Sequence, residues 1–267
     1  MYRLLACDID DTILSPDGSL PDANRNALQS LHERGITIVV SSGRATVSVR
    51  RVAETILPLA DDEYLISFNG ARVTSALSGN VLFEQLLSRD AIEIVNRYAR
   101  ENNLVLQGYG ESDFISETKD PRCAAYARAT SMDFRLVADL GAALPAGCAK
   151  LLLIDEPEVL KRHYPNLMAE SGGLFAGVFS KPTYLEIVHP EVNKGTALRF
   201  LAKRLGIPIE ETVAVGDSLN DSEMLEAAGL GVAVANAREA LKRTADVVLE
   251  TSAENGAIGE LAERFFS

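Results

Sequence analysis

Twice in this chain a short apolar run ends abruptly in a carboxylate-rich loop. Arg3-Leu4-Leu5-Ala6-Cys7 leads into Asp8-Ile9-Asp10-Asp11-Thr12, and Thr212-Val213-Ala214-Val215 leads into Gly216-Asp217-Ser218-Leu219-Asn220-Asp221. Short apolar runs bounded this way read as strands buried on both faces, the kind found in parallel sheets. The residues around them keep that rhythm. Ile36 to Val40 and Tyr64 to Phe68 read as further strands. Before Ile36, Ala23, Ala27, Leu28 and Leu31 recur at helical spacing up to Gly35, and after Val40, Val49, Val52, Ala53 and Ile56 mark a helix within Arg44 to Leu57. Near the end, Ala197, Leu198, Leu201 and Leu205 share one face of a helix from Lys194 to Leu205, closed by Gly206 and Pro208. Ser222 to Ala228 reads as a helix, Gly231 to Val234 and Asp246 to Leu249 as strands, and a terminal helix starts at about Ala257. Strand-helix-strand alternation implies parallel strands joined by right-handed crossovers, an α/β fold.

The middle of the chain breaks the rhythm. A helix on Ala91, Ile92, Val95 and Ala99 is followed by strand patterns at Val105 to Tyr109, Asp113 to Ser116, Lys150 to Ile154 and Tyr184 to Val188, with Pro and Gly scattered between. This is an α+β pattern set inside an α/β chain. The expected organisation is a core of residues 1–83 and 187–267 interrupted by a second domain of residues 84–186.

Composition narrows the partners. A formal net charge of −12 over 267 residues argues against nucleic acid, whose backbone is held by clustered Lys and Arg. A small anionic substrate stays open, because a local field can oppose the global charge. No run approaches the ~18 apolar residues of a membrane span. The first residues meet three acids at once, which suits a strand better than a signal peptide. Cys7, Cys123 and Cys148 lack CxxC spacing, so a reducing cytoplasm is expected, with neither disulfides nor zinc. The oligomeric state is not legible.

The acidic loops carry the chemistry. In an open parallel sheet, ligands bind beyond the carboxyl ends of the strands, so both loops should converge on one crevice. Of two carboxylates one residue apart, one can serve as nucleophile or metal ligand and the other as acid/base. An ordinary loop or helix cap would use the same residues; the repetition at two strand ends favours a site. Crowded oxygen ligands without Cys or His suit Mg²⁺, which also relieves the repulsion between carboxylates. Ser41-Ser42-Gly43-Arg44 ends another strand with a hydroxyl and backbone N–H groups fit for an anion. Lys194 opens a helix, where it opposes the macrodipole unless a carboxylate or phosphate compensates it.

In order and in residue type, these four segments resemble the haloacid dehalogenase superfamily of phosphohydrolases: DxDxT at Asp8 to Thr12, Ser42, Lys194, and GDxxND at Gly216 to Asp221. The interrupting domain resembles the type IIB cap of the Cof-like sugar phosphatases, as do Asn69-Gly70-Ala71 and Tyr184-Leu185-Glu186-Ile187. The resemblance implies a Rossmann-like core with an inserted α+β cap, and a phosphomonoester hydrolase working through an aspartyl-phosphate. It makes Asp8 the nucleophile and Asp10 the acid/base. It assigns Mg²⁺ to Asp8, the backbone carbonyl of Asp10 and Asp217, with Asp221 behind them. Ser42, the Gly43 N–H, Lys194 and Asn220 would hold the phosphoryl oxygens. Cys7 is left to core packing, and His32, His163 and His189 have no catalytic part. The cap would close over the site, exclude water and contact the leaving group. Arg122, Lys181 and Tyr184 are candidate contacts there, but Arg122 and Lys181 can equally be surface cations.

The expected partner is a small phosphorylated metabolite. Sugar phosphates are the default of the subfamily; phosphoglycolate and pyridoxal or flavin precursors remain open. A phosphomutase is one alternative, and a non-catalytic phospho-Asp signalling module is another.

Overall fold

The computed structural model describes residues 1–60, 62–110, 113–130 and 132–266. Its first core segment runs β1 (Leu4–Asp8), α1 (Asp22–Glu33), β2 (Thr37–Ser41), α2 (Thr46–Ile56), β3 (Tyr64–Ser67), β4 (Arg72–Ser75) and β5 (Val81–Glu84). The insert follows as α3 (Arg89–Glu101), β6 (Val105–Tyr109), β7 (Asp113–Ser116), α4 (Pro121–Thr130), β8 (Asp133–Leu136), α5 (Leu140–Ala143), β9 (Leu151–Ile154), α6 (Pro157–Glu170), β10 (Ala176–Lys181) and β11 (Tyr184–Val188). The core resumes with α7 (Lys194–Leu205), β12 (Thr212–Gly216), α8 (Ser222–Ala227), β13 (Leu230–Ala233), α9 (Glu239–Thr244), β14 (Val247–Val248) and α10 (Ala257–Phe265).

Among the described residues the core sheet runs β14-β13-β12-β1-β2-β3-β4-β5. β1 lies parallel to β12 on one side (Leu4 opposite Thr212) and to β2 on the other (Leu4 opposite Thr37). Leu4, Leu5, Ala6, Cys7, Val213, Ala214 and Val215 are all fully buried, which is why these strands read as continuous apolar runs rather than alternating ones. Burying each Val or Leu contributes about 1.5–3 kcal/mol. The chain leaves β1 to build outward on the β2 side and later returns to build outward from β12. β1 therefore sits where the strand order reverses, the position at which open α/β sheets bind ligands.

α7 is fixed at its start by Asn193, whose side chain accepts the Thr196 N–H at 2.7 Å. Such a cap contributes about 1 kcal/mol. Ala197, Leu198, Leu201 and Ala202 bury its inner face.

The hairpin β4–β5, antiparallel to β3, extends the core sheet beyond its parallel part and is absent from the sequence reading. Its strands are four residues each, and the apolar part of β5 is only Val81 to Phe83, too short to stand out as a strand.

The chain divides into Met1–Glu84 with Val192–Ser267, and Gln85–Glu191. The sequence reading returned to the core at 187, whereas the structure returns at Val192. The reason is β11, which pairs with β10 and β9 in the insert's own sheet. That sheet runs β10-β11-β9-β6-β7-β8 and is antiparallel except for β7 with β8. One of its faces packs on α3, α5 and α6 through Ile92, Val95, Leu140, Leu160, Leu151, Leu153, Leu185 and Ile187. Three of the prolines scattered through this region lie in helices: Pro121 starts α4, Pro157 starts α6 and Pro165 lies inside α6.

Candidate active site

Three strands deliver the site. β1 ends on Asp8, buried at 5% exposure, and the chain turns tightly so that the Leu14 N–H donates to the Ile9 carbonyl at 2.9 Å. Within that turn Asp10 is extended and Asp11 is left-handed at φ 57°. Asn236 Nδ2 donates to the Asp11 carbonyl at 2.8 Å and pins the loop. β12 ends at Gly216, after which Asp217 and Ser218 donate their backbone N–H groups to Asp221 Oδ2, each at 3.1 Å. Ser218 Oγ also donates to Asp217 Oδ2 at 3.0 Å. β2 ends at Ser41 and hands on to Ser42, buried at 1% exposure, whose Oγ accepts the Arg44 N–H at 3.2 Å.

Lys194, the first residue of α7, is completely buried. Its Nζ donates to Asp8 Oδ1 at 2.5 Å, to Asp221 Oδ1 at 2.6 Å and to the Ser41 carbonyl at 3.4 Å. Two carboxylates thus supply the compensation that a Lys at a helix start requires. Asp8, Asp217 and Asp221 each bring a carboxylate oxygen within 4.8 Å of the others.

The charges are unbalanced. Burial raises the Asp8 carboxyl well above the ordinary range; Lys194 pulls against this, while Asp221 and Asp217 add to it. Burial, then Asp221, pushes Asp217 up to about 6. For Lys194 burial favours the neutral amine, but Asp221 and Asp8 outweigh it and raise its pKa. Three carboxylates facing one ammonium, with only oxygen donors, form a set that fits a hard divalent cation. Beside them, burial pushes the Cys7 thiol far up, so Cys7 packs and does not react.

The other expected groups are placed differently. The Asp10 side chain is half-exposed and stands outside the carboxylate trio. Arg44 grips both of its oxygens, through Nε to Oδ2 at 2.9 Å and through Nη2 to Oδ1. Asn220 is exposed, and its Nδ2 donates to Asn69 Oδ1 at 3.1 Å. A Cβ on Gly43 would come within 2.8 Å of that same Asn69 Oδ1, so a larger residue there would displace the Asn69 amide. In the insert, Arg122 is spent on Asp120 and Asp155 (2.9 and 3.0 Å), and Lys181 Nζ lies 5.5 Å from the Tyr184 ring centre. The histidines are structural: His32 pairs with Glu63, His163 with the Tyr98 hydroxyl, and His189 accepts the Glu191 N–H.

Asn69 is the residue that sequence reasoning left out of the site. Phe68 and Asn69 both lie in the left-handed region, at φ 53° and 56°. The Phe68 N–H donates to the Arg44 carbonyl (2.9 Å) and the Asn69 N–H to the Ser42 carbonyl (3.0 Å). The next residue, Gly70 at φ 101°, has no room for a Cβ, which would fall 2.1 Å from the Asn193 carbonyl oxygen. Strained backbone held by several neighbours is characteristic of functional loops. The sequence signal available was an Asn-Gly pair directly after a strand, as at the other loops.

Comparison with known proteins agrees with this architecture. The haloacid dehalogenase-like hydrolase family matches residues 5–261. The HMP-PP phosphatase of Cronobacter sakazakii is 32% identical over 237 residues, 89% of this chain and 85% of its own. The 5-amino-6-(5-phospho-D-ribitylamino)uracil phosphatase YcsE of Bacillus subtilis is 29% identical, covering 95% of this chain and 92% of its own. The crystal structure of TM0651 from Thermotoga maritima superposes with a TM-score of 0.90 at 32% identity, over 99% of this chain and 98% of that one. The chain belongs to the haloacid dehalogenase-like hydrolase family, as a phosphatase with a Rossmann-like core and an inserted α+β cap. Among the described residues no helix is long and apolar enough to cross a membrane.

Proposed function

We propose that the chain is a Mg²⁺-dependent phosphomonoester hydrolase acting on small phosphorylated metabolites through an aspartyl-phosphate. The observation that carries this is the buried Asp8 carboxylate, ion-paired to Lys194 at the end of β1 and grouped with Asp217 and Asp221. Asp8, Asp217 and the backbone carbonyl of Asp10 would hold the ion. Its positive charge offsets the repulsion between a carboxylate nucleophile and an anionic phosphoryl group.

The residues divide the remaining work. An Asp8 oxygen attacks phosphorus while the ester P–O bond breaks, and Asp10 protonates the departing oxygen. Asp10 then takes a proton from water, which attacks the same phosphorus, frees Asp8 and releases inorganic phosphate. Arg44, by gripping both oxygens of Asp10, positions that acid/base. Ser42, the Gly43 N–H, Lys194 and Asn220 bind the phosphoryl oxygens, and Asn69 orients the Asn220 amide toward them. Asp221 organises the others, since one of its oxygens takes Lys194 and the other takes two backbone N–H groups. The insert governs which leaving group is accepted. The two curated relatives described above carry the names of different substrates, so a shared core with a variable organic portion is the pattern to expect.

The test is phosphate release from a panel of phosphomonoesters with and without Mg²⁺, with Asp8→Asn as control. Metal-dependent release that is lost in the variant supports the reading. Full activity in EDTA removes the metal from it. Phosphate that stays on Asp8, or passes to a sugar hydroxyl, replaces it with a signalling module or a mutase.

A further inference from the structure

Two asparagines far apart in sequence hold the loop that follows β1. Asn24, in the first turn of α1, is completely buried. Its Nδ2 donates to the carbonyls of Ile13 and Ala253, both at 2.9 Å, and its Oδ1 accepts the Ile258 N–H at 3.0 Å. Ile258 lies in the first turn of α10, whose cap residue Gly256 has no side chain to offer, so Asn24 caps α10 from another helix. Gly256 stands at φ 96°, and a Cβ there would fall 2.7 Å from the Ala23 Cβ; glycine is what lets α10 begin against α1.

Asn236 completes the grip. Its Nδ2 donates to the Asp11 carbonyl and its Oδ1 accepts the Ala253 N–H, both at 2.8 Å. The two amides thus share one anchor. Asn24 takes the Ala253 carbonyl and Asn236 its N–H, while each also holds one loop carbonyl, Ile13 or Asp11. Ala253 is fully buried, and the residues before it are fixed in turn: Glu260 Oε2 accepts the Thr251 N–H at 2.8 Å, and the Thr251 carbonyl accepts the Ala235 N–H at 3.1 Å. This matters at Asp11, directly after Asp10, whose left-handed φ of 57° persists in a non-glycine residue only where the surroundings over-determine it.

We propose that Asn236 is a positioning residue for the acid/base. Working from the fixed point at Ala253, it sets the backbone just past Asp10, and with it the place where the Asp10 carboxyl meets the departing oxygen. The inference rests on the reading of Asp10 as acid/base. Arg44 holds the carboxyl end of that side chain and Asn236 the backbone end. Asp8 is held by β1, which pairs on both sides, so it does not depend on this grip. Loss of Asn236 therefore falls on proton transfer and spares nucleophilic attack.

The experiment measures kcat/KM, which reports the steps up to departure of the leaving group. One ester is a hexose 6-phosphate, whose alkoxide must be protonated as it leaves; the other is 4-nitrophenyl phosphate, whose phenolate leaves without a proton. Asn236→Ala removes both hydrogen bonds, and Asn236→Asp removes the donor to Asp11 but keeps the acceptor for Ala253. Asn236 is exposed, so both variants should fold, as circular dichroism will check. Each should lower kcat/KM for the sugar ester about tenfold or more and for 4-nitrophenyl phosphate less than about threefold, with Asp10→Asn showing the same bias in fuller measure. Agreement between the two Asn236 variants rules out the added charge as the cause and supports the inference. Equal losses on both esters, or none, overturn it. So does a bias in Asn236→Ala that Asn236→Asp lacks, since the effect would then come from Ala253. Absence of bias in Asp10→Asn strikes the acid/base reading, and silence of wild type on every ester with Mg²⁺ strikes the hydrolase reading. Hydrogen exchange over residues 9–14 then decides: faster exchange in both Asn236 variants supports the grip on the loop, and unchanged exchange overturns it.

Discussion

The two sheets of this protein place their polar residues by opposite rules. The core sheet is apolar on both faces around β1 and β12, so its chemistry is confined to the strand ends, where Asp8, Ser42 and Asp217 emerge. The insert's sheet keeps one apolar face and sets Glu186, Lys150 and Gln107 on the other, in mid-strand. A sheet buried on both sides can vary its loops without touching its core. A two-faced sheet varies by exchanging side chains that the strand already presents. The first arrangement suits a phosphoryl chemistry common to every substrate of the proposed hydrolase.

That contrast can be broken most directly at Asp8. Asp8→Asn should lower kcat by at least about 10³-fold on every ester while the protein still folds, since a nucleophile serves all substrates alike. Residual turnover that differs between esters would blur the division of labour. Lys194→Ala comes next: kcat/KM should drop by about 10²–10³, again uniformly. Its removal leaves Asp8 and Asp221 buried without their cation, and unfolding should cost about 3–5 kcal/mol less. A loss below threefold with normal stability would make Lys194 dispensable.

Glu63 tests whether burial away from the site carries a comparable electrostatic cost. It is 6% exposed, beside His32, and burial, then Asp62, pushes its carboxyl up to about 7 from 4.5. The folded chain therefore holds this proton more tightly than the unfolded one. Its contribution to stability is full below about pH 4.5 and is lost as pH rises to about 7, by up to about 3 kcal/mol. Denaturant midpoints measured between pH 5 and 7.5 should fall for wild type and stay flatter for Glu63→Gln; parallel curves would refute the assignment.

The smallest effect is expected at Asn69. Asn69→Gly relieves a left-handed φ but deletes the contact with Asn220, so stability should change by no more than about 1 kcal/mol while kcat/KM falls several-fold. Unchanged kinetics would confine Asn69 to loop structure.

The same contrast explains what could be read in advance. Strand-end acids are contiguous in sequence, so Asp8 to Thr12 and Gly216 to Asp221 announced both the parallel sheet and the carboxylate cluster of the candidate site. Glu186, Leu152 and Gln107 form one row only after three strands have paired, and each reads alone as an ordinary residue of its strand. Asn69 was given no role because its contact with Asn220 forms only once two distant strand ends are brought together. In sequence Arg44 reads as the end of the Ser42 loop, and the fold shows it committed to Asp10. The return to the core was placed too early because β11 has the same apolar pattern whichever sheet it joins.

The buried contact between Lys194 and Asp8 spans 186 positions of sequence. On a ribosome adding about 5–20 residues per second, Asp8 waits roughly 10–40 s for its counter-ion. Through that interval β1 lacks β12, one of its two neighbours, and exposes an apolar edge. The intervening residues 85–191 carry a sheet and hydrophobic cluster of their own and are complete before Val192 is made. Nascent chains stalled shortly before β12 should therefore be the most dependent on chaperones, with a protease-resistant insert beside a protease-sensitive N-terminal segment.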